Sequence, residues 1–180
     1  MANILVVTGS VRPGSANEKV VPLVTEAVEA QGATVVKADL GAINLPFFDA
    51  PLPPSSPDFA PTNDAAKEWT KLVADADAVI FVTPEYNHTL SPLQINAIDW
   101  IGKEWEGKPV ALVGYGWTSG AGQAHATARE ALAVNLKANV IDTQANLFFM
   151  KDLAPDGSLA DGSKAPEKIA ASVKDLLAQL

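Results

Sequence analysis

The chain has 180 residues, 48% of them apolar and 19% charged, with 13 basic against 21 acidic side chains and a formal net charge of −8. That length makes one domain, 1–180, with enough apolar material for a compact core, which excludes a disordered or collagen-like polymer. The negative field disfavours a nucleic-acid partner, and the lack of cysteine excludes disulfides, thiolate nucleophiles, iron–sulfur clusters and cysteine-bound zinc, so redox chemistry would need a bound cofactor.

Met1-Ala2-Asn3 carries no positive cluster, and the apolar run Ile4–Val7 is strand length, far short of a secretory core or of a membrane span of about 20 residues. A cytoplasmic protein with no membrane contact is expected. Ile4–Thr8 is the first predicted strand. The helix Asn17–Ala30 follows, with Val20, Val21, Leu23, Val24, Ala27 and Val28 mainly on one face and Glu18, Lys19, Glu26 and Glu29 opposite. Thr34–Lys37 is the second strand. Pro46–Pro61 holds six prolines in sixteen residues, with Phe47, Phe48 and Phe59 between them. Proline withholds a donor from a sheet and stops a helix, so a long ordered loop or a flexible flap is expected there.

The helix Asn63–Ala74 leads to the strand Ala78–Thr83, the helix Leu93–Ile101 to the strand Pro109–Gly114, and the helix Gln123–Lys137 to a weaker fifth strand over Val140–Asp142 and Ala145–Phe149. Lys151–Ser163 is polar, rich in glycine and aspartate, and reads as an exposed loop before the last helix, Pro166–Leu180. Trp100 and Trp105 suit either a subunit contact or the core. The first, third and fourth strands run apolar without alternation, the pattern of strands covered on both faces. Repeated strand–helix alternation gives an α/β, doubly wound parallel sheet with helices on both faces, and five strands suit the flavodoxin-like order 2-1-3-4-5.

In such a sheet ligands bind beyond the carboxyl ends of the strands, near the point where strand order reverses. After the first strand comes Gly9-Ser10-Val11-Arg12-Pro13-Gly14-Ser15-Ala16-Asn17, which offers hydroxyls, an amide, a guanidinium and the free N–H groups of a helix start. That combination suits an anion, and a guanidinium can hold a phosphate bidentately. The alternative is that Ser15 or Asn17 is only an N-cap and Arg12 a solvated charge. Neither Gly-x4-Gly-Lys-Ser/Thr nor Gly-x-Gly-x-x-Gly is present, which favours a mononucleotide monoester over a dinucleotide held in the usual way.

After the third strand, Thr83-Pro84-Glu85-Tyr86-Asn87-His88-Thr89-Leu90-Ser91-Pro92 sets two prolines around polar and aromatic residues. A stiff loop suits the edge of a planar ring, whereas a proline-ordered turn with surface side chains would look the same. His88 has no nucleophile motif to serve. After the fourth strand, Gly114–Gly122 holds four glycines in nine residues around Tyr115 and Trp117, permitting close backbone approach to a ligand. His88 and His125 fall in no ligand-spaced cluster, so no metal site is expected.

Together, Gly9-Ser10-x-Arg12-x-x-Ser15-x-Asn17, Thr83-Pro84-Glu85-Tyr86-Asn87 running into Asn96-Ala97-Ile98-Asp99-Trp100, and the glycine loop 114–122 resemble the NAD(P)H-dependent FMN reductases, flavodoxin-like proteins that include quinone, chromate and azo-dye reductases. The resemblance implies FMN as cofactor, NAD(P)H as co-substrate and a small-molecule electron acceptor such as free flavin or a quinone, in a ping-pong cycle. By the same likeness Ser10, Arg12, Ser15 and Asn17 hold the FMN phosphate, helped by the N–H groups of Val11 and Ala16. Pro84, Glu85, Tyr86 and Asn87 line the isoalloxazine, and Tyr115, Gly116 and Trp117 lie near its polar edge and the approach of the pyridine nucleotide. No side chain is expected to carry the chemistry, and a homodimer or homotetramer is implied. His88 stands where relatives often have glycine, and Ile95 where many have lysine. The alternative from another class is a flavodoxin-like electron carrier or flavin-binding module without NAD(P)H turnover, although its phosphate loop would be rich in Ser and Thr and lack arginine.

Overall fold

The computed structural model describes all residues, Met1–Leu180. Its elements in chain order are β1 Asn3–Val7, α1 Asn17–Glu29, β2 Thr34–Ala38, α2 Leu40–Ile43, α3 Asp64–Asp75, β3 Ala78–Pro84, α4 Pro92–Asp99, β4 Pro109–Gly116, α5 Gly122–Arg129 continuing as a π-helical segment Glu130–Asn135, β5 Asn139–Val140, β6 Ala145–Phe148 and α6 Ala165–Leu177. All strand pairs are parallel, in the order β2-β1-β3-β4-β5 with β6 also on β4. This is the predicted 2-1-3-4-5 order with the fifth position broken in two.

The unalternating runs of β1, β3 and β4 are explained by two separate cores. Leu5, Val7, Val79, Phe81, Val110 and Leu112 face one side of the sheet, where α3, α4 and α5 bring Trp69, Val73, Ala97, Ile98, Ala124 and Ala128. Ile4, Val6, Ile80, Val82, Ala111 and Val113 face the other, against Val20, Val24 and Val28 of α1 and Ile169, Val173 and Leu176 of α6. Successive side chains of a strand point to opposite faces, so a strand between two helical layers must be apolar at every position. Trp100 and Trp105 are fully buried in the first of these cores, which leaves them no part in a subunit contact.

Val110 pairs with Val140 but Val113 with Ala145, so the fifth position carries two more residues than β4 over the same stretch and must bulge outward. Side chains take up the main-chain groups along this edge. Arg129 donates to the carbonyls of Val140 at 2.9 Å and Ile141 at 2.6 Å, Ser172 Oγ to Thr143 O at 2.7 Å, and Lys168 Nζ to Asn146 O at 2.9 Å. The N–H of Phe148 donates to Asp152 Oδ2 at 2.9 Å.

The two irregular stretches differ from each other. Pro46–Pro61 is the ordered form of the two expected: Asn96 donates to Pro46 O at 2.8 Å and accepts from Phe48 N at 3.0 Å, Trp100 Nε1 donates to the same Pro46 O at 2.8 Å, and Phe48 meets Trp100 edge-on with centroids 5.0 Å apart. Lys151–Ser163, expected to be an exposed loop, is partly internal. Asp152 and Leu153 are fully buried, and Leu153 bridges to both Phe149 and Leu159. The charge of Asp152 made it read as surface, but its partner Lys168 lies sixteen residues away in sequence, on α6.

Candidate functional site

The loops after β1, β3 and β4 meet at the carboxyl edge of the sheet, where β1 and β3 run side by side and the chain order reverses. The first loop is seated by close packing. A Cβ at Gly9 would collide with the Val82 carbonyl and lie 2.6 Å from Pro84 Cδ and 2.9 Å from Gln94 Nε2. Gln94 itself is buried, accepting from Thr83 Oγ1 at 2.5 Å and donating to Val82 O at 3.1 Å, which pins α4 to β3 at the same point. Ser91 N-caps α4 by accepting from Gln94 N at 3.4 Å.

Within the first loop, Asn17 does not cap α1. Its Oδ1 accepts from Gly9 N at 3.1 Å, closing the loop on itself, while Glu18 accepts from Gly14 N at 2.8 Å. The N-cap position falls to Ala16, which has no side chain for the purpose. The N–H groups of Ser10, Val11, Ala16 and Asn17 donate to nothing, and the exposed Arg12 guanidinium has no hydrogen bond or ion pair. Ser15 Oγ and the Tyr115 hydroxyl are buried here and lack partners as well. Buried polar groups are nearly always bonded, so a convergence of orphaned donors marks a place for an acceptor-rich ligand. All of them can donate, and one is a fixed cation. The set therefore fits a phosphate monoester. A cleft of about 540 Å³ opens against this loop, lined by Thr8, Ser10, Arg12 and Asn17.

Tyr115 lies at the first loop as well as at the end of β4. It is 5% exposed on the α1 side of the sheet, with its hydroxyl beside Ser15 and Asn17. Burial raises its pKa above the usual phenol value, and the neighbouring Tyr86 adds to the effect. Ser15, Arg12 and the Asn17 amide act in the opposite sense. It stays a neutral hydroxyl, able to donate to an anion.

The third loop is a two-residue β-hairpin. Tyr86 and Thr89 exchange N–H···O bonds of 3.1 and 3.0 Å around Asn87 and His88, whose φ angles are 50° and 63°. Two consecutive left-handed residues make a tight turn of the primed kind, where asparagine is at ease and glycine usually follows. Tyr86 OH and Ser10 Oγ lie 2.8 Å apart, hydrogen-bonded across from the third loop to the first. Pro84 is the last residue of β3 and is buried, Tyr86 is half-buried with its hydroxyl on Ser10, and Asn87 is exposed with its side chain free. Between the hairpin and α4 lies a cleft of about 320 Å³, bounded by Phe47, Tyr86, Asn87, Ile95, Asn96 and Asp99.

Glu85 turns into the structure. Its N–H donates to Tyr115 O at 3.2 Å, and its carboxylate accepts from the Ser119 hydroxyl and from Gln123 N at 3.1 Å, with His88 Nδ1 at 3.7 Å. It therefore fastens the third loop to the fourth, at the first turn of α5, where the helix dipole favours a carboxylate. Gly116 ends β4 with Glu85 Cβ 3.4 Å from where its own Cβ would be. Beyond it the N–H groups of Trp117, Thr118, Ser119, Gly120 and Ala121 are all unpaired. Trp117 is 63% exposed and stacks on Phe149 with ring centroids 4.8 Å apart.

Sequence reasoning did not find Ser119, Gln123 or Asn146. Asn146 Nδ2 donates to Gly120 O at 3.1 Å and holds the fourth loop from β6. A lone amide inside the apolar run Ala145–Phe149 was the available signal. His125 is fully buried under the same loop, with Nδ1 3.2 Å from Gln144 Oε1 and Nε2 unpartnered, and burial brings its pKa down to about 4. No three His, Cys, Asp or Glu side chains gather as metal ligands, and no helix is long and apolar enough to cross a membrane.

A family model described as NADPH-dependent FMN reductase matches residues 2–150. An NAD(P)H-dependent FMN reductase of a Nectria species is 30% identical over 167 residues, covering 90% of this chain and 83% of that protein. A quinone reductase of Pseudomonas putida is 32% identical over 117 residues, or 62% of this chain and 58% of that protein. Among solved structures, FerB, a flavoenzyme NAD(P)H:(acceptor) oxidoreductase from Paracoccus denitrificans, superposes with a TM-score of 0.80 over 99% of this chain and 97% of that one at 24% identity, a likeness of fold.

Proposed function

Because the chain belongs to the NADPH-dependent FMN reductase family, we propose that it binds FMN at the three loops and uses NAD(P)H to reduce a small-molecule acceptor such as a quinone or free flavin. The observation that carries this reading is the cluster of unpaired donors in the loop 9–17 around the free Arg12 guanidinium. FMN held here would supply the two-electron hydride chemistry that the side chains lack, between NAD(P)H and the acceptor in ping-pong order.

The residues position and shield. Arg12, Ser15, Tyr115 and the N–H groups of Val11, Ala16 and Asn17 hold the monoester. Ser10, already bonded to Tyr86, couples that anchor to the hairpin that borders the ring. The unpaired N–H groups of residues 117–119 offer donors to the ring's carbonyl edge, and Glu85 keeps them there. Trp117 on Phe149 forms an aromatic wall beside the approach of the nicotinamide and of the acceptor, which use the same space in turn. The quinone reductase relative supports a quinone as the class of acceptor.

The test is a visible spectrum of the protein after incubation with FMN and gel filtration, followed by anaerobic addition of NADPH. Retained flavin absorbance that bleaches rapidly and returns on adding a quinone is the expected result. Protein that keeps no flavin overturns the reading, and flavin that NADPH fails to bleach makes the protein a carrier.

A further inference from the structure

The family match stops at residue 150, yet the chain beyond it reaches back to the site. Its anchor is an ion pair between a buried aspartate and a half-buried lysine. Asp152, fully buried, accepts from Lys168 Nζ at 2.6 Å and from Phe148 N at 2.9 Å through one oxygen, while the other oxygen has no partner. Its carbonyl accepts from Ala160 N at 3.2 Å and Ser163 Oγ at 2.6 Å, which folds the segment 151–163 around it. A fully buried carboxylate is expensive to desolvate, and its pairing with an ammonium is weak evidence of a role in stability alone.

Two contacts lead from this pair to the binding loops. Gly157, at φ 85°, lies directly on the first loop: a Cβ there would come within 2.5 Å of Ala16 Cα and 2.7 Å of Ala16 Cβ. Ala16 carries one of the unpaired N–H groups, next to the orphaned Ser15 hydroxyl. On the other side, Lys168 lies 5.5 Å from the Phe148 ring centroid, and the edge of that ring would be 2.8 Å from a Cβ on Gly120 of the fourth loop. Lys168 also bonds the carbonyl of Asn146, whose amide holds Gly120 O.

We propose that the Asp152–Lys168 pair positions the cofactor site from behind, holding the segment 151–163 as a buttress that sets the first loop through Gly157 and the fourth through Phe148. This inference rests on the FMN reading above. Asp152, Lys168 and Gly157 are positioning residues, since none lines the cleft. The Ser15 hydroxyl and the N–H groups of Ala16 and Asn17 are useful to a monoester only if their spacing is fixed before it arrives, and α1 alone does not fix them because Ala16 provides no side-chain cap.

The test titrates the flavin-free protein with FMN, following flavin fluorescence, beside thermal melts without flavin. The first variant is Gly157→Ala, whose methyl must displace either the first loop or the buttress. The second is Asp152→Asn with Lys168→Met, which removes both charges together and avoids stranding one of them. Each is expected to weaken FMN binding roughly tenfold, the scale of coupling between contacting residues, with kcat at saturating FMN near that of the parent. Lys168→Arg, which keeps the charge, is expected to bind FMN within about threefold of the parent. Parent-like FMN affinity in both of the first two variants overturns the inference, as does a lowered melting temperature with affinity unchanged. Should the parent itself fail to bind FMN, the functional reading falls and this inference with it. A parent that binds beside variants that bind equally well sinks this inference alone.

Discussion

Arg12 is the residue on which the proposed anion site depends most, because it is the one fixed cation among neutral donors. Replacing it with alanine removes a charge-assisted bond of about 1.5–3 kcal/mol, so FMN affinity is expected to fall roughly 10–150-fold in a fluorescence titration. The residue needed no structure to be noticed, since only one other arginine exists, and that one seals a strand edge. Tyr115 is the converse case, because its place depends on the register of a strand. A tyrosine among glycines does not say which face of the sheet it takes, and only the register of β4 shows that it faces α1 and the first loop. His88 poses a different question, for it occupies a left-handed position at φ 63° with its side chain 74% exposed. The left-handed cost of about 1–2 kcal/mol exceeds the 0.5–1 kcal/mol that glycine's greater freedom forfeits. His88→Gly is therefore expected to stabilise the protein by up to about 1 kcal/mol, a rise of about 2–4 °C in Tm for a chain of this size. A scanning-calorimetry trace with no gain would show that the contact with Glu85 outweighs the strain.

The elements were legible where their patterns were strong. Continuous apolar runs located β1, β3 and β4 because both faces of each are covered, and the five long helices showed their periodicity. What escaped was structure made by single long-range bonds. Asn96 reads as a polar position on a helix, but it holds Pro46 O and Phe48 N and so sets the whole proline-rich stretch against α4. Asn96→Ala is expected to leave the helices intact while limited proteolysis cuts within residues 46–61 many times faster, at a cost of about 1–3 kcal/mol for the unsatisfied partners. The seat of α5 on β4 has a pH signature. His125, buried against Gly114, titrates near pH 4 in the folded protein but near 6.5 when unfolded. Between those values the unfolded chain takes up a proton that the native one refuses. Stability is thus complete above pH 6.5, declines as pH falls toward 4 and levels off below, a total of about 3 kcal/mol. Urea melts at pH 7 and 4.5 should show that decline in the parent and a shallower one in His125→Gln.

At the scale of the whole molecule the charge of −8 works against the proposed NADPH and FMN, which are anions. Long-range repulsion slows encounter and is screened within about 10 Å at 0.1 M salt. The kcat/KM for NADPH is accordingly expected to rise with ionic strength from about 0.01 to 0.1 M, measured at saturating acceptor. A flat or falling dependence would mean that Arg12 and its neighbours govern the local field. The edges of the sheet have a further consequence. Along β5 and β6, Arg129, Ser172, Lys168 and Asp152 occupy the outward carbonyls and N–H groups that a strand from another molecule would need. Only β2 still presents an open row, and it is five residues long with Lys37 in its exposed part. Lysine on a short margin discourages edge-to-edge association. Amyloid-like polymerisation of the folded protein is thus confined to one poorly suited border, and a variant that neutralised Lys37 would be the first in which to look for fibrils.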